Sequence, residues 1–212
     1  MSEGKVKFEL HDRMFSEDHM YRQVENYAEK ENLSQTAEAL PKVKAYHAGQ
    51  MRAGKDHVPY ISHPLMMACH AVALGLGQDD ILATIMYHDV CEDCGVALDE
   101  LPVNDTVKEA VDCLTFKVAD GEDRAQAKKR YYERIATNKL ATIVKIIDRC
   151  NNVSTMATGF SKERMAKYIC ETEEYVIPLL TIVKHEYREW YNAAYLLKYQ
   201  MLSVLESLKR TI

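Results

Sequence analysis

The run His88-Asp89-Val90-Cys91-Glu92-Asp93 gathers one imidazole and three carboxylates within six residues. His88 and Glu92 are four apart, and so are Asp89 and Asp93, which on a continuous helix sets them in two adjacent columns on one surface. The preceding residues, Ile81 to Tyr87, are mostly apolar, so the helix is entering a core when it reaches these polar groups. Buried together, they repel and desolvate one another unless protons or a cation compensate. A bound metal is the economical compensation; the plainer alternative is an exposed polar helix end turning at Gly95.

Two further segments carry groups of the same kind. Ile143-Val144-Lys145-Ile146-Ile147 leads directly into Asp148, a carboxylate that shares a helix face with Asn152. An Asp so placed needs a partner, and a metal or an arginine is the usual one. His63, in Pro59-Tyr60-Ile61-Ser62-His63-Pro64, reads either as a capping or packing residue or as the third segment of a site built from the other two. Cys91-x-x-Cys94 has the spacing of a zinc knuckle or redox motif, but no second cysteine pair follows and no strand-to-helix context surrounds it.

These residues need elements to position them, and the pattern is helical throughout. Val24 to Glu31 and Gln35 to Met51 read as helices, followed by a polar turn from Arg52 to Pro59. The next helix is expected to start at Pro64 with His63 as N-cap and to stop near Gly75 and Gly77. Asp79 and Asp80 open the helix that leads into His88. Further helices are expected at Val107 to Thr115, Arg124 to Thr137, Leu140 to Val153, Lys162 to Lys184 and Tyr187 to Leu208. No alternating β-branched run demands a sheet. The reading is an all-α helical bundle with a poorly anchored extension at residues 1–16, a domain at 17–186, and a C-terminal helix at 187–212 packing on it or on a partner.

Composition bounds the function. The chain has 212 residues, 47% hydrophobic and 28% charged, with a net charge of -5, which suits a globular protein and opposes bulk nucleic-acid binding. A local group of Lys and Arg residues still suffices for a phosphorylated small molecule. No apolar stretch reaches membrane-span length and no signal peptide is visible, so no membrane association is expected. Six scattered cysteines fit reduced thiols and a cytoplasmic location. The stripe Trp190, Tyr191, Tyr195, Leu196, Tyr199 and Leu202 could close the bundle or serve a homodimer.

Taken in order, Gly49-Gln50-Met51-Arg52, Pro59-Tyr60-Ile61-Ser62-His63-Pro64, the run from His88 to Asp93, and Asp148-Arg149-Cys150-Asn151-Asn152 resemble the HD-type hydrolase domain of the Rel/SpoT alarmone enzymes. The stretch Glu171 to Leu179 resembles their closing helix. The resemblance covers about Thr36 to Leu180 and is to the stand-alone small alarmone hydrolases. It implies an HD-domain bundle that removes pyrophosphate from the 3′ position of guanosine tetra- and pentaphosphate with a manganese ion.

Carried over by position, the resemblance implies His63, His88, Asp89 and Asp148 as metal ligands, a mixed set that suits Mn²⁺, Fe²⁺ or Zn²⁺ by softness. It implies that Glu92 and Asp93 orient and deprotonate water or protonate the departing oxygen. Asn152 matches a residue near the ribose, and Arg52 one beside the base or phosphates. Lys55, Lys117, Lys145, Arg164, Lys167 and Tyr168 are weaker candidates for substrate contact. His47 matches a recurrent histidine expected to pack rather than to ligate.

Two departures stand out. Asn151 replaces a frequent histidine, and Ala53 to Val58 differs from the commoner turn, which loosens the expected guanine preference. The alternatives are therefore the same site acting on an adenosine alarmone or NADPH, and a non-catalytic module that binds an alarmone.

Overall fold

The computed structural model describes residues 15–53 and 58–212, and among these the chain is built from helices with no extended strand. Helix α1 (Glu17–Glu31) starts earlier than the apolar pattern suggested, because Ser16 caps it by accepting from the His19 amide. It ends at Asn32 in the left-handed conformation, φ 57°. Ser16 and Phe15, assigned from sequence to a loose extension, thus belong to the folded body, with Phe15 packed against the core. The rest of that extension, residues 1–14, lies outside the described residues.

Helix α2 (Ser34–Tyr46) stops short of the expected Met51. The chain turns through Gly49 at φ 80°, and the residues after it pair with those from Val58 onward. There the Arg52 amide donates to the Val58 carbonyl at 2.8 Å and the Tyr60 amide to the Gln50 carbonyl at 2.9 Å. This pairing brings Arg52 and Tyr60 to one end of the site. Helix α3 (Ser62–Ala73) begins one residue before His63, so His63 is inside the first turn rather than the N-cap. Pro64 is tolerated there because first-turn amides have no intrahelical acceptor.

Helix α4 (Asp79–Tyr87) is buried from Ile81 onward. The Asp79 carboxylate fixes its start by accepting from the amides of Gln35 and Thr36 on α2. The expected continuous helix through Asp93 does not form. The chain turns at His88 and Asp89, and a single turn, α5 (Val90–Asp93), follows. The His88 ring Nδ1 takes the Ile85 carbonyl at 2.7 Å, the oxygen a continuing helix would offer to the Asp89 amide. The helical hydrogen-bond pattern lapses only at His88 and Asp89, and the Asp93 amide again donates to the Asp89 carbonyl at 2.8 Å.

Helices α6 (Asp105–Leu114) and α7 (Arg124–Thr137) lead to α8 (Lys139–Thr155), the buried axis of the bundle. Asn104, Asp123 and Asn138 cap these three helices through their side chains. Apolar residues cover α8 nearly all round, as expected of a helix enclosed by neighbours. Helix α9 (Lys162–Glu171) joins α10 (Ile177–Glu186) through a π-helical turn at Thr172–Val176. The single helix expected from Lys162 to Lys184 is widened there, ahead of Pro178, which has no amide to donate back into the preceding turn. Helix α11 (Tyr191–Lys209) packs Ala193, Ala194, Leu197 and Met201 into the core and leaves Tyr195 and Tyr199 exposed.

Candidate metal centre and active site

Three helices deliver the polar cluster. His63 comes from the first turn of α3, His88 from the turn after α4, and Asp148 from the middle of α8, and ligand atoms of the three lie within 4.8 Å of one another. They are 2%, 3% and 5% exposed, so little water reaches them. Asp89 completes the group, with Oδ2 2.9 Å from His88 Nε2 and 4.0 Å from His63 Nε2.

The hydrogen bonds around the rings fit a cation. His88 Nδ1 donates to the Ile85 carbonyl, which turns Nε2 toward the cluster, where it is buried without a hydrogen-bond partner despite the short, misaligned approach of Asp89. His63 Nδ1 meets Oδ1 of Asn151 at 2.8 Å and can only donate to it, leaving Nε2 as a lone pair 3.1 Å from Asp148 Oδ1. A lone pair facing a carboxylate at that distance is repulsive unless a positive charge lies between them. The electrostatics agree. Burial and then Arg52 push His63 down toward its neutral form. Burial also acts to lower His88, but Asp89 and Asp148 outweigh it and lift it to about 9. Asp148 is held well below the usual carboxylate range, with Lys145 and His63 overcoming its burial. The cluster draws positive charge, and two imidazoles with two carboxylates are a suitable donor set for a divalent ion.

Glu92 and Asp93 lie at the mouth of this cluster, both exposed. Glu92 Oε2 accepts from the Phe116 amide at 2.9 Å, which anchors the carboxylate on the cavity wall. Asp93 stands beside Tyr60, outside the cavity lining. Desolvation raises both carboxyls, and the nearby Asp89 raises them further. The Tyr60 hydroxyl donates a short hydrogen bond to Asp89 Oδ2, and its ring stacks on His47 at 4.6 Å. His47 is buried, with Nδ1 2.7 Å from Gln50 Oε1 and 3.5 Å from Cys94 Sγ, so it packs beneath the site. All six cysteines are free thiols.

The cluster opens into a cavity of about 500 Å³ whose lining includes Arg52, Asn152, Arg164 and Tyr168, four of the residues expected to contact substrate. Arg52 donates to Asn152 Oδ1 at 2.9 Å and to Thr155 Oγ1 at 3.3 Å. Asn152 in turn donates to Asp148 at 2.6 Å. The Arg164 guanidinium lies 3.8 Å from the centroid of the Phe160 ring. Lys145, a weaker candidate, also lines the cavity and bonds Asp148 Oδ2 at 2.8 Å. Lys117 and Lys167 do not line it: Lys117 turns outward to Asp112, 2.7 Å away. Lys55 lies outside the described residues.

Sequence reasoning passed over Arg124 and Lys128 on α7, both in the lining, and Glu171 on α9. Arg124 and Lys128 are four apart on one helix face, a signal that was available; the pairing of Glu171 with Arg149 at 2.5 Å is tertiary and left no local mark. Arg149, fully buried, also donates to the Tyr132 hydroxyl at 2.7 Å and lies 3.9 Å from the centroid of Tyr168. In a chain of net charge -5, the cavity carries six cationic side chains, Arg52, Arg124, Lys128, Lys145, Arg149 and Arg164, against four carboxylates, Asp89, Glu92, Asp148 and Glu171. The excess positive charge makes it a site for an anion.

The bundle with its His-Asp cluster defines an HD-type hydrolase domain of the Rel/SpoT family. Over 155 residues, 71% of the chain, it is 30% identical to a probable GTP pyrophosphokinase of Mycobacterium leprae. It is 28% identical over 156 residues to a guanosine-3′,5′-bis(diphosphate) 3′-pyrophosphohydrolase of Aquifex aeolicus. A third relative, the bifunctional (p)ppGpp synthase/hydrolase SpoT of Escherichia coli, is 22% identical over 163 residues. The chain spans only about a fifth of the length of these relatives (19%, 22% and 23%). Among solved structures, a metazoan SpoT orthologue described as hydrolysing ppGpp shares the fold. Its TM-score is 0.65 at 18% identity, over 82% of this chain and 94% of that one. No protein-family model matches the sequence.

Proposed function

We propose that the protein is a metal-dependent hydrolase that removes the 3′ pyrophosphate of guanosine tetra- and pentaphosphate, giving GDP or GTP and pyrophosphate. The observation that carries this reading is one juxtaposition. A buried His-Asp cluster with a cation-ready nitrogen opens into a cavity where Arg52, Arg124 and Arg164 have no carboxylate partner among the described residues. Guanidinium groups left unpaired around one cavity suit a ligand with several phosphates. Relatives are named for both synthesis and hydrolysis. Transfer between two nucleotides needs both bound at once, whereas a cavity of about 500 Å³ suits a single nucleotide.

His63, His88, Asp89 and Asp148 would hold the ion, and manganese is the metal we assign. When bound, the ion would supply Lewis-acid polarisation of the 3′ phosphoryl oxygen and acidify water. Glu92 takes a proton from the attacking water, whose oxygen bonds to the phosphorus carried on O3′. The P–O3′ bond breaks, its electron pair stays on O3′, and Asp93 relays a proton to that oxygen. Arg52, Asn152, Arg164 and Tyr168 hold the nucleotide so that O3′ faces the cluster.

Incubation of the folded, manganese-loaded protein with ppGpp and pppGpp should yield GDP and GTP with equimolar pyrophosphate. Absence of turnover would refute the reading. Adenosine tetraphosphate alarmones and NADPH run in parallel test the base, and equal or faster cleavage of either would move the assignment to adenine nucleotides.

A further inference from the structure

Among the polar side chains with which helix α8 lines the cavity, Lys145, Asp148 and Asn152 follow one another along its length. At the rise of an α-helix, Lys145 and Asn152 stand roughly 10 Å apart, with Asp148 between them. The Asn152 end has an amide, the Thr155 hydroxyl, Arg52, and the Phe160 and Tyr168 rings, which suit a ribose and a base. The Lys145 end is different. Its floor is the Phe116 and Tyr131 rings, joined edge to face at 5.5 Å. Two cations lie over that floor, the Arg124 guanidinium 5.3 Å from the Phe116 centroid and Lys145 Nζ 5.4 Å from that of Tyr131. Lys128, one turn beyond Arg124 on the same face of α7, is tethered to Glu171.

We infer that Arg124, Lys128 and Lys145 form a second anion subsite, which takes the distal phosphate of the 3′ pyrophosphate and selects a diphosphate over a monophosphate at that position. This inference rests on the hydrolase reading above. The floor is tied to the chemistry, because the Phe116 amide donates to Glu92 and Lys145 bonds Asp148. A phosphate on O3′ would sit at the cluster, and a second phosphate linked to it would extend toward Arg124 and Lys128 in the same lining. Among the described residues Arg124 has no carboxylate partner to release before it binds, and its guanidinium lies over the Phe116 ring. The Lys128–Glu171 pair holds its ammonium at the cavity wall, and Glu171 keeps Arg149 as partner if Lys128 turns to a phosphate.

The test is calorimetric titration of the full chain, saturated with Mn²⁺ and freed of excess metal, with inorganic pyrophosphate, orthophosphate and GDP. Wild-type protein should bind pyrophosphate at least about tenfold more tightly than orthophosphate, the scale of one charge-assisted contact. Arg124→Gln and Lys128→Gln should each weaken pyrophosphate by about tenfold and leave orthophosphate and GDP within about twofold. Arg124→Lys should recover part of the loss, and circular dichroism should show the fold unchanged. Equal affinity of the wild type for the two anions, retention of pyrophosphate affinity by the double variant, or parallel loss of GDP would overturn the subsite. Pyrophosphate binding is read without turnover, so failure of the hydrolase reading and failure of the subsite give different results.

Discussion

Nδ1 of His63 lies 2.8 Å from the side-chain oxygen of Asn151, and both residues are buried. A frequent histidine of the resembling enzymes is missing at this position, yet the amide oxygen does the work of an orienting acceptor. It fixes the proton on Nδ1 and the lone pair on Nε2, toward Asp148. Asn151→Leu should therefore lower Mn²⁺ affinity by about 10- to 100-fold, while Asn151→Asp, which still accepts, should retain most of it. Competition with a fluorescent chelator measures both. Unchanged affinity in the leucine variant would mean that Asn151 does not orient the ring.

Glu92 is anchored on the cavity wall and Asp93 stands outside the lining beside Tyr60, so their removal should not be equivalent. Glu92→Gln should lower kcat by about 10²- to 10⁴-fold, and Asp93→Asn by less, with KM changed little in either. Desolvation raises the pKa of Glu92, which must be ionised to accept the proton of the attacking water. Activity should thus be lost on acidification at a pH above the ordinary carboxylate value of 4.5. Metal content measured across the same range separates this limb from metal loss. A rate profile unaltered by Glu92→Gln would remove Glu92 from the reaction.

Lys117 and Arg52 make an internal comparison. Arg52 reaches Asn152 and Thr155 inside the cavity, whereas Lys117 is exposed and paired with Asp112. Arg52→Ala should raise KM for ppGpp by about 10- to 100-fold, since charge-assisted contacts are worth roughly 1.5–3 kcal/mol. Lys117→Ala should change kcat and KM by less than about twofold, as expected for an exposed ion pair. Steady-state kinetics decide, and a Lys117 effect equal to that of Arg52 would place the lysine on the substrate after all.

The helices were legible where apolar period and capping residues coincide, as in α7 and α8 with Asp123 and Asn138 at their starts. Asp148 was legible as a carboxylate at the end of an apolar run. What local pattern did not carry was the break at His88–Asp89, which depends on a ring nitrogen taking the Ile85 carbonyl, and the widened turn ahead of Pro178. Lys117 lies in the loop between α6 and α7 and Arg124 opens α7, and only the packed structure decides which turns to the cavity and which turns to Asp112.

The ion pair of buried Arg149 predicts an acid-sensitive fold. Glu171 bonds buried Arg149 at 2.5 Å and also meets Lys128 and the Tyr132 hydroxyl. Burial alone would raise its pKa, but Arg149 and Lys128 outweigh that and lower it from 4.5 to about 2. A carboxyl depressed on folding contributes stability that is complete above its unfolded pKa and disappears as pH falls through its folded one. The window here runs from about 4.5 down to about 2. The contribution is on the order of 3 kcal/mol at neutral pH. Glu171→Gln leaves Arg149 buried without a counter-charge, so it should destabilise the protein at pH 7 by a few kcal/mol. It should also make the fall in stability between pH 5 and pH 2 shallower, because one of the carboxyls that titrate there is gone. Urea unfolding at a series of pH values reads both effects. A variant whose stability falls with acid as steeply as the wild type would show that other carboxyls carry the acid transition.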